Sequence, residues 1–326
     1  MDANQSIDVS IILPTYNGIE YIDEVLQAIF SQQTNYKYEL IVIDSGSTDG
    51  TVDIVKKYPA RFYSIDKKDF GHGKTRNYGA SLAKGKFLVY ITQDATPAHE
   101  KWLDELIGCF SLDPLVACVF GRHIPREDCN PITKHDIVAH FNNFTTSDQP
   151  LLQYVADTEE GWDHYYKNQG WMAFNSNVNS AIRKDIWAKI PFRDVIYSED
   201  QLMGRDIMEN KYKKVYSPKA AVIHSHNYPL GQYLKRFFDE YRGLQLTLGY
   251  IDQITLVRLI PASIKATIND AKYIWNECEY STLKKVYWIY FAFWLNVFRR
   301  LGAYFGGRHD KLPTAAKRFF SLEKRA

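Results

Sequence analysis

In the stretch YITQDATP (90–97), a run of strand-forming residues ends on the carboxylate of Asp94, and the pattern breaks at Pro97. A carboxylate at the end of a buried strand can cap the helix that follows, or it can hold a cation. His226, at the end of a later predicted strand, could bring an imidazole to the same place. One carboxylate, one imidazole and phosphate oxygens together suit Mg2+ or Mn2+, and such a metal neutralises charge on a leaving diphosphate.

Two adjacent acidic residues, Glu199 and Asp200, are candidates for proton transfer. In SEDQ (198–201), Glu199 and Asp200 fall in the first turn of a predicted helix that Ser198 can cap. Acids at a helix N-terminus gain from the helix dipole, so a purely structural role is open. One of them could also act as a general base that takes a proton from a hydroxyl nucleophile.

The stretch FGHGKTRNYG (70–79) offers positive charge to phosphate. Its glycines permit a close approach of the backbone, and Lys74 and Arg76 lie at the opening of a predicted helix. Solvated surface residues would fit the same pattern, so both interpretations stay open at this point.

The elements that must position these residues alternate between strands and helices. Strands are predicted in VSIILP (9–14), YELIVID (38–44), ARFYSID (60–66) and KFLVYITQD (86–94), and amphipathic helical stretches separate them. Continuous apolar strands with intervening helices indicate a parallel sheet covered on both faces, in which ligands bind at the carboxyl ends of the strands. These ends predict a nucleotide site, although neither a G-x-G-x-x-G fingerprint nor a P-loop is present.

The rest of the chain changes character. Residues 126–170 are polar and aromatic and are expected to be rich in loops. In GWMAFNSN (170–177), Trp171, with Met172 beside it, could contact a sugar acceptor, and a Trp packed under the sheet fits equally well. From about Leu234 onward the patterns are helical.

Composition limits the class of protein. The chain has 326 residues, of which 45% are hydrophobic, so it can build one large domain or two ordinary ones. Four cysteines have no metal-ligand spacing, and the N-terminus does not look like a signal peptide, so we expect reduced thiols and a cytoplasmic location. The basic residues form no nucleic-acid recognition motif, and we expect no nucleic-acid partner.

The C-terminal end is basic and aromatic. From Ser281 onward there are ten Lys and Arg residues against Asp310 and Glu323. As a helix, VYWIYFAFWLNVF (286–298) would cover about 20 Å, which is short of the roughly 30 Å hydrocarbon core of a membrane. It could lie at a membrane surface, or it could be a buried packing or dimerisation helix.

Four ordered stretches resemble the motifs of the family-2 inverting glycosyltransferases, which have a GT-A fold: VSIILPTYNG, ELIVIDSGSTDGT, KTRNYGASLAKGKFLVYITQDATP and YSEDQLMGRDI. Within that family, FGHGKTRN, TQDATP and AAVIHSHNYPLGQYLKRFFDEY resemble the bacterial rhamnosyltransferase branch. The resemblance implies an α/β, Rossmann-like and mostly parallel sheet covered by helices over residues 1–232. It leaves residues 233–326 as a helical extension that binds a membrane surface or a second copy of the chain.

The resemblance also implies roles for single residues. Asp200 matches the catalytic base, with Glu199 beside it, and Asp94 matches the last acid of the metal-binding D-x-D. His226 would be a further ligand of Mg2+ or Mn2+, and His224 is the less favoured candidate. The residues implied in binding the nucleotide sugar are Pro14, Thr15, Tyr16, Asn17, Asp44, Ser45, Arg76 and Gln93. Thr92 replaces the first acid of D-x-D, and we therefore expect weaker metal binding.

The implied reaction is inverting transfer of a sugar to a saccharide acceptor. The branch points to L-rhamnose from dTDP-L-rhamnose, a lipid-linked acceptor, and synthesis of a bacterial cell-surface polysaccharide at the inner face of the cell membrane. A UDP-sugar-dependent transferase, a nucleotidyltransferase and a catalytically silent sugar-nucleotide or saccharide-binding module of the same fold are alternatives. The acid pair Glu199–Asp200 argues against the silent module.

Overall fold

The computed structural model describes residues 6–322 of the chain. The first five and last four residues, which include Lys324 and Arg325 of the basic C-terminal end, lie outside it. The chain forms two compact units. The first comprises the chain up to Arg126, Ile137–Val195 and Glu199–His224, and the second comprises Glu127–Asp136, Ile196–Ser198 and the chain from Ser225 on.

The first unit is built on one mixed sheet, which has nine strands within the described residues. They are β1 (Val9–Thr15), β2 (Tyr38–Asp44), β3 (Arg61–Ser64), β4 (Phe87–Ile91), β5 (Thr96–Pro97), β6 (Val116–Ile124), β7 (Leu151–Gln153), β8 (Asn179–Arg183) and β9 (Lys213–Ile223). The order is β3-β2-β1-β4-β8-β6-β9-β5, and β7 pairs with β9. The strands β3, β2, β1 and β4 are parallel, as predicted, whereas β8 is antiparallel to both of its neighbours.

Continuous apolar strands form here because both faces of the sheet are covered. Successive side chains of a strand point to opposite faces. In β1, Ile11 and Leu13 belong to one hydrophobic cluster, while Ile12 belongs to another on the opposite face, and all three are fully buried. Gly79 lies where a helix crosses this sheet, since a Cβ added there would come within 2.5 Å of the Ile12 side chain.

Helices connect the strands and continue to residue 209. They are α1 (Ile22–Phe30), α2 (Thr51–Val55), α3 (His72–Leu82), α4 (Trp102–Ile107), α5 (Pro131–Asn142), α6 (Glu159–Lys167), α7 (Gln169–Met172), α8 (Lys184–Trp187) and α9 (Glu199–Glu209). The expectation of a loop-rich region over residues 126–170 is wrong, because α5, β7 and α6 lie within it. The polar and aromatic composition of these helices hides their periodicity.

The second unit is helical, as predicted from about Leu234 onward. Its main elements are α10 (Leu230–Leu248), α11 (Leu256–Glu277), α12 (Thr282–Gly306) and α13 (Thr314–Phe320). The apolar run 286–298 lies inside α12, where Ala292, Leu295 and Val297 are buried. Asn296 is also buried, and it donates a hydrogen bond to Asp270 of α11 at 2.6 Å. Within residues 6–322, no helix has the length and apolar character needed to cross a membrane.

Candidate active site

The loop after β2 is organised by the Asp44 carboxylate. One of its oxygens accepts hydrogen bonds from the hydroxyls of Thr15 and Ser47, and the other accepts the backbone N–H groups of Gly46 and Ser47 at 3.0 and 2.8 Å. Ser45 donates its hydroxyl to the Thr15 carbonyl at 3.1 Å, and Asp44 and Ser45 are each only 2% exposed. Both side chains therefore fix the shape of the loop, and a direct contact of either with a nucleotide stays a prediction.

The end of β1 is held to the end of β4 by Gln93. Its side-chain carbonyl accepts the backbone N–H of Tyr16 at 2.8 Å, and its amide donates to the Tyr16 carbonyl at 2.9 Å. Asn17 has a positive φ of 46°, and its side chain accepts the N–H of Thr48 at 2.9 Å. Pro14 lies in β1, next to Ile43 of the neighbouring strand β2. These bonds leave Tyr16 and Asn17 exposed at the carboxyl ends of the parallel strands.

Asp94 lies beside a histidine of the same unit. A carboxylate oxygen of Asp94 is 3.6 Å from Nε2 of His224, and both side chains are partly buried. Arg126 donates to the Asp94 backbone carbonyl at 3.0 Å and to the Thr96 hydroxyl at 3.2 Å, which fixes the loop that carries Asp94. The ring of His123 is 5.4 Å from that of His224. A carboxylate oxygen and an imidazole nitrogen at this separation can bind one divalent cation.

His224, the histidine that the sequence analysis placed second, is therefore the one found against Asp94 in the first unit. His226 belongs to the second unit, and it follows His224 by two residues, a length of chain that spans about 7 Å at most. The hydroxyl of Thr92 is buried and has no hydrogen-bond partner among the described residues. The residues present fit a Mg2+ or Mn2+ ion with one carboxylate ligand from the T-Q-D motif.

Arg76 of α3 and Glu199 of α9 form a buried ion pair. The guanidinium and carboxylate are 2.7 Å apart, and the two residues are only 6% and 5% exposed. The Asn177 side chain donates to the same carboxylate oxygen at 3.2 Å. Burial by itself would raise the pKa of Glu199, but the positive charges of Arg76 and His72 bring it below its ordinary value. Glu199 is therefore held as an anion.

Asp200, the next residue, has a different environment. Its carboxylate accepts the N–H of Gln201 at 2.8 Å and the N–H of Asn177 at 3.2 Å, and part of its surface reaches solvent. Desolvation, followed by the negative charge of Glu199, raises the pKa of Asp200 to about 7, against the opposing effect of Arg76. A carboxylate with a pKa near neutrality is a suitable proton acceptor.

The segment before β8 brings Asp200 to the same end of the sheet as the T-Q-D motif. Asn177 binds Asp200 through its backbone N–H, and the next residue, Val178, accepts the N–H of Thr92 at 3.4 Å. Because β8 pairs with β4, this segment follows directly along the strand end that carries Asp94. The structure thus collects a candidate base, a buried arginine and a candidate metal ligand at one edge.

Trp171 and Met172, the two residues predicted to contact an acceptor, differ in their exposure to solvent. Trp171 is 37% exposed and stacks on Phe144, with ring centres 5.7 Å apart and planes 17° apart. Met172 is buried and packs in a cluster with Tyr165 and Met208. The side chain of Met172 does not reach solvent, so contact with an acceptor rests on Trp171.

Sequence reasoning missed the residues that support this edge. Arg126, His123 and Asn177 contact Asp94, His224 and the acid pair in space, yet they lie far from them along the chain. No spacing in the sequence could have signalled these contacts. Asn177 does belong to a stretch with a predicted role, since it is the last residue of GWMAFNSN (170–177).

Comparisons with known proteins agree on one family. Residues 10–183 match the family described as Glycosyl transferase family 2. O-antigen chain rhamnosyltransferase RfbN of Salmonella typhimurium is 30% identical over 325 residues, which cover 97% of this chain and 95% of the relative. O-antigen chain rhamnosyltransferase WbaN of Salmonella anatum is 30% identical and covers 97% of this chain and 94% of its own.

Solved structures agree on the fold. The mannosyltransferase PcManGT from Pyrobaculum calidifontis, solved with GDP-Man and Mn2+, aligns with a TM-score of 0.57 at 16% identity and covers 94% of this chain and 89% of its own. Residues 1–349 of TarS from S. aureus, solved with UDP-GlcNAc, align with a TM-score of 0.52 at 17% identity and cover 91% and 84%. The predicted GT-A fold is confirmed. The chain belongs to glycosyl transferase family 2 and is a glycosyltransferase.

Proposed function

We propose that this glycosyltransferase moves L-rhamnose from dTDP-L-rhamnose to a lipid-linked saccharide acceptor in the synthesis of a cell-surface polysaccharide. The reaction would take place in the cytoplasm at the inner face of the cell membrane. Similarity over nearly the full length to two O-antigen chain rhamnosyltransferases supports the sugar and the pathway class. The observation that supports the chemistry most directly is the environment of Asp200, whose raised pKa suits a base at neutral pH.

In the proposed reaction, Asp200 takes the proton from an acceptor hydroxyl as that oxygen attacks the anomeric carbon of the donor. The bond from the anomeric carbon to the diphosphate breaks on the opposite face, so a single displacement inverts the configuration. Asn177 orients the Asp200 carboxylate through its backbone N–H. Desolvation, together with the negative charge of Glu199, keeps the pKa of Asp200 high enough for proton transfer, and the Glu199 charge is itself balanced by Arg76.

Donor binding is proposed for the strand ends and the residues that shape them: Pro14, Thr15, Tyr16, Asn17, Asp44, Ser45 and Gln93. Arg76, which lies in α3 and pairs with Glu199, is proposed to contribute positive charge to the same site. Asp94 and His224 would hold the divalent cation, and His226 stays a further ligand proposed from the sequence alone. When bound there, Mg2+ or Mn2+ would neutralise negative charge on the diphosphate. The mannosyltransferase structure with GDP-Man and Mn2+ is a precedent for this combination in a related fold.

The two parts of the chain are proposed to have separate roles. We place the catalytic machinery in residues 1–232, with Trp171 offering its exposed ring to the saccharide acceptor. Residues 233–326 would bring the enzyme to its lipid-linked acceptor, or join two copies of the chain. The basic residues of this region favour an anionic membrane surface.

The first experiment measures release of free nucleotide and donor binding with the purified full chain. The donors are dTDP- and UDP-sugars, each with Mg2+, with Mn2+ and with EDTA. We expect selective binding and turnover of dTDP-rhamnose that is lost with chelator. Selective use of a UDP-sugar would overturn the donor assignment and favour a UDP-sugar-dependent enzyme. Turnover that survives EDTA would overturn the metal assignment alone.

Asp94→Ala tests the metal site within the same assay. Because one carboxylate supplies the negative charge of the site, its removal should lower metal affinity by about 10- to 100-fold or more, and donor affinity with it when metal is present. Asp163→Ala, at an exposed acid of α6, is the matched control and should bind donor normally. Unchanged donor affinity in Asp94→Ala with metal present would remove Asp94 from the site.

The pH dependence of turnover should report Asp200. A base must be deprotonated to act, so the rate should rise with pH through about 7, the pKa of Asp200. Glu199→Gln removes the negative charge that raises this pKa and leaves Arg76 to lower it, so the acid limb should move to lower pH. The measurement is kcat from pH 5 to 9. Glu209→Gln, at the other end of α9, should leave the limb in place, and an unmoved limb in Glu199→Gln would contradict the assignment.

A further inference from the structure

Helix α11 (Leu256–Glu277) carries an exposed apolar face that the sequence analysis did not identify. Val257 is 88% exposed, and Ile260, Ile264, Ile268 and Trp275 are between 47% and 51% exposed. Their spacings of three, four, four and seven residues place them on one side of the helix. The face runs over nineteen residues, from Val257 to Trp275, or about 27 Å at the helical rise. We name these five residues the α11 face.

A different side of α11 packs inside the second unit. Leu259, Ser263 and Ile274 are buried there, and Ile274 belongs to a cluster with Ala292 and Leu295 of α12. The α11 face is therefore not an unfilled part of this core. A large apolar surface that is left exposed on a folded unit commonly marks an interaction site.

Basic residues run alongside the α11 face. Arg258, Lys265 and Lys272 are exposed and are spaced by seven residues, so they form a line parallel to the apolar one. The acids of this helix are elsewhere: Asp270 is half-buried and bound by Asn296 of α12, and Glu277 is the last residue. A helix with an apolar stripe, a cationic flank and a Trp near its end has the pattern of an interfacial membrane helix.

We infer that the α11 face lies in the surface of an anionic lipid bilayer, with its apolar side chains among the acyl chains and its basic line against the lipid headgroups. An antiparallel two-fold contact with a second copy would bring the two basic lines together along one edge, which is unfavourable. The inference deepens the proposed membrane location and rests on it. Vesicle binding needs no sugar donor, however, so it fails or succeeds separately from the transferase reaction.

The charge of the face is tested with the full chain and vesicles of phosphatidylcholine, alone or mixed three to one with phosphatidylglycerol. We expect binding to the mixed vesicles that weakens with salt. Arg258→Gln, Lys265→Gln and Lys272→Gln together should lower the partition coefficient on mixed vesicles by about 100-fold, because each basic residue near an anionic surface contributes roughly a factor of five. The matched control changes three exposed lysines of the first unit to Gln: Lys57, Lys86 and Lys189.

The apolar side chains need a separate variant. Val257→Ser, Ile264→Ser and Ile268→Ser together should abolish binding while thermal unfolding and transfer to a water-soluble saccharide stay normal. The control changes three exposed apolar residues of the first unit to Ser: Leu112, Leu115 and Val138. Failure of the wild-type chain to bind the mixed vesicles, or equal loss in variants and controls, would overturn the inference. A wild-type dimer that the triple Ser variant dissociates, without vesicle binding, would make the α11 face a subunit interface instead.

Discussion

Asp200→Asn is expected to lower kcat by about 10²- to 10⁴-fold, the usual loss when a general base is removed. Asparagine keeps the shape of the side chain, but the N–H groups of Asn177 and Gln201 bind different oxygens of Asp200, so its single carbonyl oxygen can accept only one of them. Its amide cannot take the proton of an acceptor hydroxyl. The donor does not require that proton transfer to bind, so its Kd should stay close to the wild-type value. The measurement is kcat at saturating donor and acceptor, with donor Kd by calorimetry.

The control for this substitution is Asp185→Asn, at an exposed acid of α8 that pairs with Arg183. It should retain the wild-type rate. If Asp200→Asn turned over donor at a near-normal rate, Asp200 would not be the base. A parallel loss of donor affinity would instead show that the carboxylate positions the donor.

Arg76→Met should destabilise the protein by about 3–5 kcal/mol, because it leaves the Glu199 carboxylate buried without its ion-pair partner. Among residues 6–322, the Asn177 amide would be the side-chain hydrogen-bond donor that remains to that oxygen. The measurement is the free energy of unfolding in urea. The exposed pair of Arg183 and Asp185 is the matched control, and Arg183→Met should cost less than about 1 kcal/mol.

A double-mutant cycle separates the ion pair from packing. Glu199→Met in the Arg76→Met background removes the unpaired charge and replaces the pair by apolar side chains. The double variant should therefore be more stable than Arg76→Met alone. If the two single costs simply added, the charges would be uncoupled and the 2.7 Å contact would contribute nothing measurable to folding.

The first half of the sheet could be predicted from the sequence because each of its strands has a local signal, a continuous run of apolar residues. In β1, β2 and β4 the apolar runs are continuous, and both faces of these strands are covered. The position of β8 between β4 and β6 could not be predicted in the same way. Its pairing with β4 joins Asn179 to Ile91 and depends on the rest of the sheet, since periodicity within a strand does not select its neighbours.

In the candidate site, too, the sequence indicates single residues but not the long-range contacts between them. The resemblance to known motifs singled out Asp94 and Asp200 and favoured His226 over His224 as a companion of Asp94, but it did not indicate that Arg76 pairs with Glu199. The pairing of Arg76 with Glu199 joins residues 123 positions apart, and the contact of Asp94 with His224 joins two separate strand ends. For 286–298 the sequence left a membrane surface and a buried packing helix open, and the structure shows both kinds of side: Ala292, Leu295 and Val297 are buried, whereas Val286, Tyr287 and Tyr290 are exposed. Hydrophobicity along a chain does not tell which side of a helix its neighbours cover.

Strand β8 pairs with β4 but is synthesised long after it, and this has a consequence while the chain is being made. Strands β1 to β4 are complete once residue 91 has been made, and β6 cannot take the place beside β4 because β8 lies between them. The hydrogen-bonding edge of β4 therefore stays open until residue 183 emerges from the ribosome, and such an edge is a template for pairing with other chains. The segment that closes this edge also brings Asn177 to Asp200. Because residue 183 precedes Asp200 along the chain, the edge of β4 can close before Asp200 is synthesised, with Asn177 already in place to bind its carboxylate.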